Sequence, residues 1–206
     1  MAESGDIARW IAQLTNPEPR VRALAAYQLR SAVLMKAFYG INSWIGDPEF
    51  RELNRPFTLD AKGDPRWKRP PLVVGIAVQP ETFEMIRAAD GSPRLSDVPP
   101  DQDAIEFELA SGTAGIDVLT TREPGGSGAI AKFLLKFGEG VQQIEVNVTD
   151  VDRATEILRT RFGFTPIYPA TRPGADGTRV NFFLVPGPDG KKLLVELVEP
   201  AEKSHP

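Results

Sequence analysis

The chain has 206 residues, 41% of them apolar and 25% charged, with a formal net charge of −4; this excludes a wholly disordered or fibrous chain and allows one or two cored domains. There is no Cys, and the one His is His205, next to the last residue, which argues against disulfides, thiolate chemistry, a Ser-His-Asp triad and an imidazole-anchored zinc site. The charge is uneven, with 11 Lys/Arg against 8 Asp/Glu in residues 1–69 and 13 against 20 in residues 70–206, a pattern that suggests two units with different surfaces and is too weakly basic for nucleic acid.

The opening MAESGDIARW lacks the basic-then-apolar pattern of a secretory leader, and no apolar run approaches the ~20 residues that span a bilayer, so a cytoplasmic protein with no membrane partner is expected. Ile7, Trp10, Ile11 and Leu14 recur at helical spacing. Asn16-Pro17 then supplies a cap followed by proline, and Val21, Leu24, Ala25, Leu29, Val33 and Leu34 mark one face of a longer helix expected to close near Gly40. Asp47-Pro48 repeats the capping signal for a short third helix. The phrase LTNPEPRVRALAAYQL resembles one unit of a HEAT-type helical repeat. Such repeats need neighbours to bury their faces, so a plain helical extension is preferred over a DNA-gripping solenoid. Breaker-rich FTLDAKGDPRWKRPP follows, with Trp67 as a clasp or an exposed anchor; it reads as a linker.

Beyond it the period changes from helical to two-residue. LVVGIAV (72–78), AIEFEL (104–109) and GIDVLTT (115–121) are strands, with a short helix carrying Phe83 and Ile86 after the first and a helix over 127–137 after the third. A second round repeats the order. VQQIEVNV (141–148) is a strand, Thr149-Asp150 caps a helix with Val151, Ala154, Ile157, Leu158 and Phe162 on one face, and FTPIYP, TRVNFFLV and KLLVELV follow as strands. The fold class is therefore α+β: two βαβββ modules, about 72–124 and 141–199, expected to form an open mixed-sheet barrel around a pocket. A helical unit (1–56) and a linker (57–71) precede the barrel (72–206).

GAIAKFLLKFGEGVQQIEVNVTDVDRA, RPGADGTRVNFFLVP and KKLLVELVEP resemble the vicinal-oxygen-chelate superfamily of glyoxalases, bleomycin-resistance proteins and extradiol dioxygenases, and among these the methylmalonyl-CoA epimerases. The resemblance covers residues 72–206 and is strongest from Ile130 onward. It implies a pocket in which two His and two Gln or Glu hold a divalent metal while a further Glu completes an acid–base pair. By position, the first His falls on Val73, the second ligand on Asp117, the second His on Gln143 and the last ligand on Glu196; the additional catalytic Glu falls on Glu106, in PDQDAIEF.

Both imidazoles are thus replaced. Asp117, Gln143 and Glu196 offer only oxygen donors, which suit Mg²⁺, Mn²⁺ or Ca²⁺ rather than Zn²⁺, or the site works without metal. In the metal-free case the carboxylates of Glu106, Asp117 and Glu196 would share a proton. Bland readings stand beside these. Glu196 could be satisfied by Arg179 or Lys132, the alternating acidic face of Glu106 and Glu108 could be solvated, and the Gln142-Gln143 pair could be structural. Gly-rich GGSG (125–128) lacks the Lys of a P-loop and reads as a helix entry. Three functions follow: an epimerase or isomerase of an acyl thioester or similar carbonyl compound using Glu106 and Glu196, a metal-free small-molecule binder of the bleomycin-resistance type, and a helical interaction module on a barrel scaffold. A small-molecule ligand and a homodimer are the expected partners.

Overall fold

The computed structural model describes residues 4–57, 70–109, 115–187 and 192–201. Most of the expected linker, Trp67 included, and His205 lie outside these. The chain divides into two compact units, residues 1–35 with 74–142 and residues 36–73 with 143–206. The architecture is α+β, as the two periods predict.

In the first unit, helix α1 (Ser4–Gln13) buries Trp10 and Ile11, and Leu14 in the turn after it is buried too. Helix α2 (Pro19–Ile45) runs through both units without a break and buries Ala25, Ala26, Leu29 and Val33 in its first half. The sheet of this unit is β1 (Leu72–Ala77), β3 (Ile116–Thr120) and β2 (Ile105–Glu108), with β3 central, parallel to β1 and antiparallel to β2. Two helices pack on opposite faces. Helix α4 (Pro80–Ala89) sets Phe83 edge-on to Phe107 at 4.9 Å between ring centroids. Helix α5 (Ala129–Phe137) places Ile130 and Leu134 against Ala77 and Leu119. The Asp103 carboxylate accepts hydrogen bonds from Thr121 Oγ1 (2.6 Å) and Arg122 N (2.9 Å), and it lies where a Cβ on Gly128 would stand. An anionic side chain thus already sits at the entry of α5, and the GGSG segment is the helix entry that the sequence suggests.

In the second unit, β4 (Gly140–Asn147) runs parallel to β7 (Lys192–Glu199); β7 pairs antiparallel with β6 (Arg179–Pro186), and β6 with the two-residue β5 (Arg172–Pro173). Helix α6 (Val151–Phe162) starts at Asp150, whose side chain accepts from Arg153 N, and stops at Gly163 in the left-handed conformation. It covers the face carrying Ile144, Val146, Phe183, Val185, Val195 and Leu197, all fully buried. Helix α3 (Pro48–Asn54), capped by Asp47 as expected, belongs to this unit. Asn54 Nδ2 donates to Asn147 O at 2.7 Å and to Pro71 O at 3.3 Å, and Thr149 N donates to Leu53 O at 3.0 Å. Outside this contact Arg161 pairs with Asp47 at 2.9 Å and with Glu49, and Arg153 also pairs with Glu49. The hydrogen bond from Arg161 holds the Asp47 carboxyl below the usual range, and that from Arg153 does the same for Glu49.

Two expectations are corrected. Helix α2 does not close at Gly40 but continues to Ile45, because Ile41 and Trp44 carry its buried stripe onward. A side chain at Gly40 would meet the Pro186 carbonyl at 2.5 Å, so close approach of backbone selects glycine there without ending the helix. FTPIYP is not a strand. Pro166 and Pro169 have no N–H to give to a ladder, and the segment makes a single bridge, Pro166 to Phe183, with Ile167 N donating to Phe182 O at 2.7 Å.

Candidate functional site

Strand register decides which side chains can act together, because partners in register point to the same face and neighbours along a strand to opposite faces. In the first unit Asp117 is opposite Glu108 on β2 and beside Gly75 on β1, while Glu106 is opposite Leu119. Glu106, Glu108 and Asp117 therefore share the face turned away from α4, and the alternation of β1 places Val73 on that face of its own strand. Glu106 and Asp117 are half-buried and Glu108 is exposed. The Ala77–Leu119 end of the face is closed by α5.

In the second unit Glu145 of β4 is the register partner of Glu196 of β7, which is in turn opposite Phe182 of β6. Gln143, two residues before Glu145, lies on the same face. Its Nε2 donates to Glu196 Oε2 at 2.5 Å and to Glu145 Oε1 at 3.2 Å. Gln143 and Glu145 are each only 5% exposed. One amide thus ties two carboxylates together, and charge-assisted hydrogen bonds of this kind are the strong ones. The cluster is flanked by Phe182, whose ring meets Tyr168 edge-on at 6.0 Å, and the Arg172 guanidinium lies 4.6 Å above the Tyr168 ring.

The register also settles one bland reading. Arg179 is on the opposite face of the sheet from Glu196, where it bonds Asp152 of α6 and Glu199 (3.0 Å). It cannot be the partner of Glu196. Nor is Gln143 a bystander, since its amide organises both acids. Of the expected residues, then, the structure brings Glu106 and Asp117 onto one face in the first unit and Gln143 and Glu196 into contact in the second. The residue that sequence reasoning missed is Glu145. The alternation in VQQIEVNV carries the signal, since it sets positions 143 and 145 on one side of the strand.

No protein-family model matches the chain, and no curated protein matches it. Solved structures do. Methylmalonyl-CoA epimerase from Mycobacterium tuberculosis is 33% identical over 65% of this chain and 89% of its own, with a TM-score of 0.52. The chain belongs to the vicinal-oxygen-chelate superfamily. A hypothetical protein from Bacillus halodurans C-125 is similar at 25% identity, 65% and 95% coverage and a TM-score of 0.52. No helix among the described residues is long and apolar enough to cross a membrane.

The donor chemistry bears on the metal that the superfamily implies. Among the described residues there is no His, and no group of three or more His, Cys, Asp or Glu side chains is arranged to hold an ion. What the second unit does offer is an amide and two carboxylates, an oxygen-only set that fits a hard divalent cation and not one selected by imidazole.

Proposed function

We propose that this protein is an epimerase-type isomerase acting on an acyl thioester whose α-carbon bears an acidic hydrogen. The reading is carried by one observation: the face that holds Glu196 keeps an organised pair of carboxylates, the buried Glu145 and the half-buried Glu196, bridged by Gln143. The 33% identity to an enzyme that epimerises methylmalonyl-CoA supports the reaction class. Glu106 and Glu196 are the assigned acid–base residues. One carboxylate takes the α-proton, leaving an enolate, and the other, as the carboxylic acid, returns a proton to the opposite face of the carbon. The configuration inverts and no electrons are gained or lost. Gln143 orients Glu196 through its amide hydrogen bond, which it shares with Glu145. Gln143, Glu145 and Glu196 would hold a divalent cation of the Mg²⁺, Mn²⁺ or Ca²⁺ type, and such a cation would supply charge stabilisation to a developing enolate oxygen.

The absence of imidazole, with Val73 at one of its positions, favours a second reading: a metal-free small-molecule binder of the bleomycin-resistance type, or a scaffold whose working part is the helical segment. The test is inversion of a single stereoisomer of a 2-methyl-branched acyl-CoA, followed by circular dichroism of the product. Inversion by the wild-type protein and its loss in Glu196→Gln support the isomerase. Saturable binding of the thioester without inversion supports the binder.

A further inference from the structure

Helix α2 carries two apolar stripes. One is buried, through Ala25, Ala26, Leu29, Val33, Ala37, Ile41 and Trp44. On the opposite side, at the 3-4-4-3 spacing of a single helix face, stand Leu24, Tyr27, Ser31, Met35 and Phe38. The four large members are 56%, 69%, 73% and 52% exposed. A helix whose polar side is this apolar is expected to have something packed along it.

We propose that the occupant is a second copy of the same helix, laid antiparallel across a twofold axis at Ser31. The stripe reads the same in both directions from that residue. Tyr27 and Met35 lie four residues to either side, and Leu24 and Phe38 seven. In an antiparallel pair, residues equidistant from the crossing face each other, so Tyr27 of one copy meets Met35 of the other, and Leu24 meets Phe38. Both pairs are large and apolar, and the small Ser31 at the centre lets the helices approach. This is the self-complementarity that an isologous interface requires. Charge selects the same orientation. The helix contains no Asp or Glu, and the exposed Arg20 at its start continues the stripe, eleven residues before Ser31. The antiparallel arrangement puts it beside Asn42 in the last turns of the partner helix, where the helix dipole favours a cation. A parallel pair would instead bring Arg20 against Arg20. The stripe supplies roughly 500 Å² per chain, about 1,000 Å² for the pair, the lower limit for a specific interface.

The chain has no Cys, so single cysteines report the geometry without background. Under mild oxidation Ser31→Cys should form a disulfide-linked dimer, because position 31 faces itself, and Leu24→Cys should not. Sedimentation velocity of the full chain should show a dimer, and Tyr27→Glu with Met35→Glu should give a monomer with unchanged far-ultraviolet circular dichroism. Cross-linking at position 24 as readily as at 31, a monomeric wild-type chain, or a dimer that survives the double substitution would each overturn the proposal. Should the double variant fold poorly, the two cysteine variants, which change little, still decide it.

Discussion

In the first module, Glu106, Glu108 and Asp117 line up half-exposed to exposed on a sheet face whose far end is sealed by apolar contacts with α5. In the second, the corresponding face carries Gln143 and Glu145 almost fully buried, with an amide donating to two acids. The same strand–helix–strand order thus supports two different ways of holding negative charge. A carboxylate near water keeps part of its hydration, whereas a buried one must find its hydrogen bonds within the protein or the fold loses free energy. Polar geometry is fixed most tightly in the second module, where a buried amide holds two acids together, while the first keeps its carboxylates closer to water.

The comparison can be broken at four points. Phe107 and Phe183 occupy like places beneath α4 and α6, both fully buried; replacing either by Ala should cost about 3–5 kcal/mol in urea unfolding. A much smaller loss at one of them would show that its module has slack and the parallel is superficial. Next in size, Glu196→Gln and Glu106→Gln should each lower inversion of the acyl thioester by about 100-fold or more, the usual weight of a general acid or base. Glu145→Gln, which leaves both assigned residues in place, should lower it less. Third, Gln143→Leu should destabilise by about 1–3 kcal/mol because two acids lose their shared donor, while Glu108→Gln, at the exposed position of the first module's face, should stay within about 0.5 kcal/mol. Equal stability losses would erase the contrast between the two faces.

The smallest effect is electrostatic. Asp47 and Glu49 have carboxyl pKa values lowered by hydrogen bonds from Arg161 and Arg153, and Asp152 by one from Arg179. Groups whose folded pKa is depressed add stability above the unfolded value, about 4, and lose it as pH falls through the folded value. Urea midpoints should therefore drop below pH 4, and the drop should be shallower in Arg161→Ala. Since these pairs are exposed, the change should be modest and should fade in high salt.

Much of this was legible in the residues. Asp47 and Asp150 cap their helices where the cap-then-helix pattern puts them, and strand alternation assigns Glu106, Asp117, Gln143 and Glu196 to the faces they occupy. What the chain hid was tertiary. Gly40 reads as a helix stop, yet the approach of the Pro186 carbonyl explains it better, and no local signal shows that carbonyl. FTPIYP has the apolar spacing of a strand, but Pro166 and Pro169 remove the donors a ladder needs. Glu145 was visible at i+2 from Gln143 and was masked by an otherwise apolar strand. Its partner Glu196 lies 51 residues further along, and only the parallel β4–β7 register brings the two side by side. The Arg179–Asp152 pair shows the same dependence, since it is the face of β6, not charge, that keeps Arg179 from Glu196.

The central claim, that Glu106 and Glu196 work as two separate bases, is tested most directly by α-proton exchange in D₂O. Each stereoisomer of a 2-methyl-branched acyl-CoA is incubated with wild type, Glu106→Gln and Glu196→Gln, and deuterium uptake is followed by proton NMR. The account predicts that wild type exchanges both isomers with inversion, that one variant exchanges only one isomer and the other variant only its mirror at the α-carbon, and that neither inverts. Exchange of both isomers by both variants, or no exchange by wild type, would contradict it.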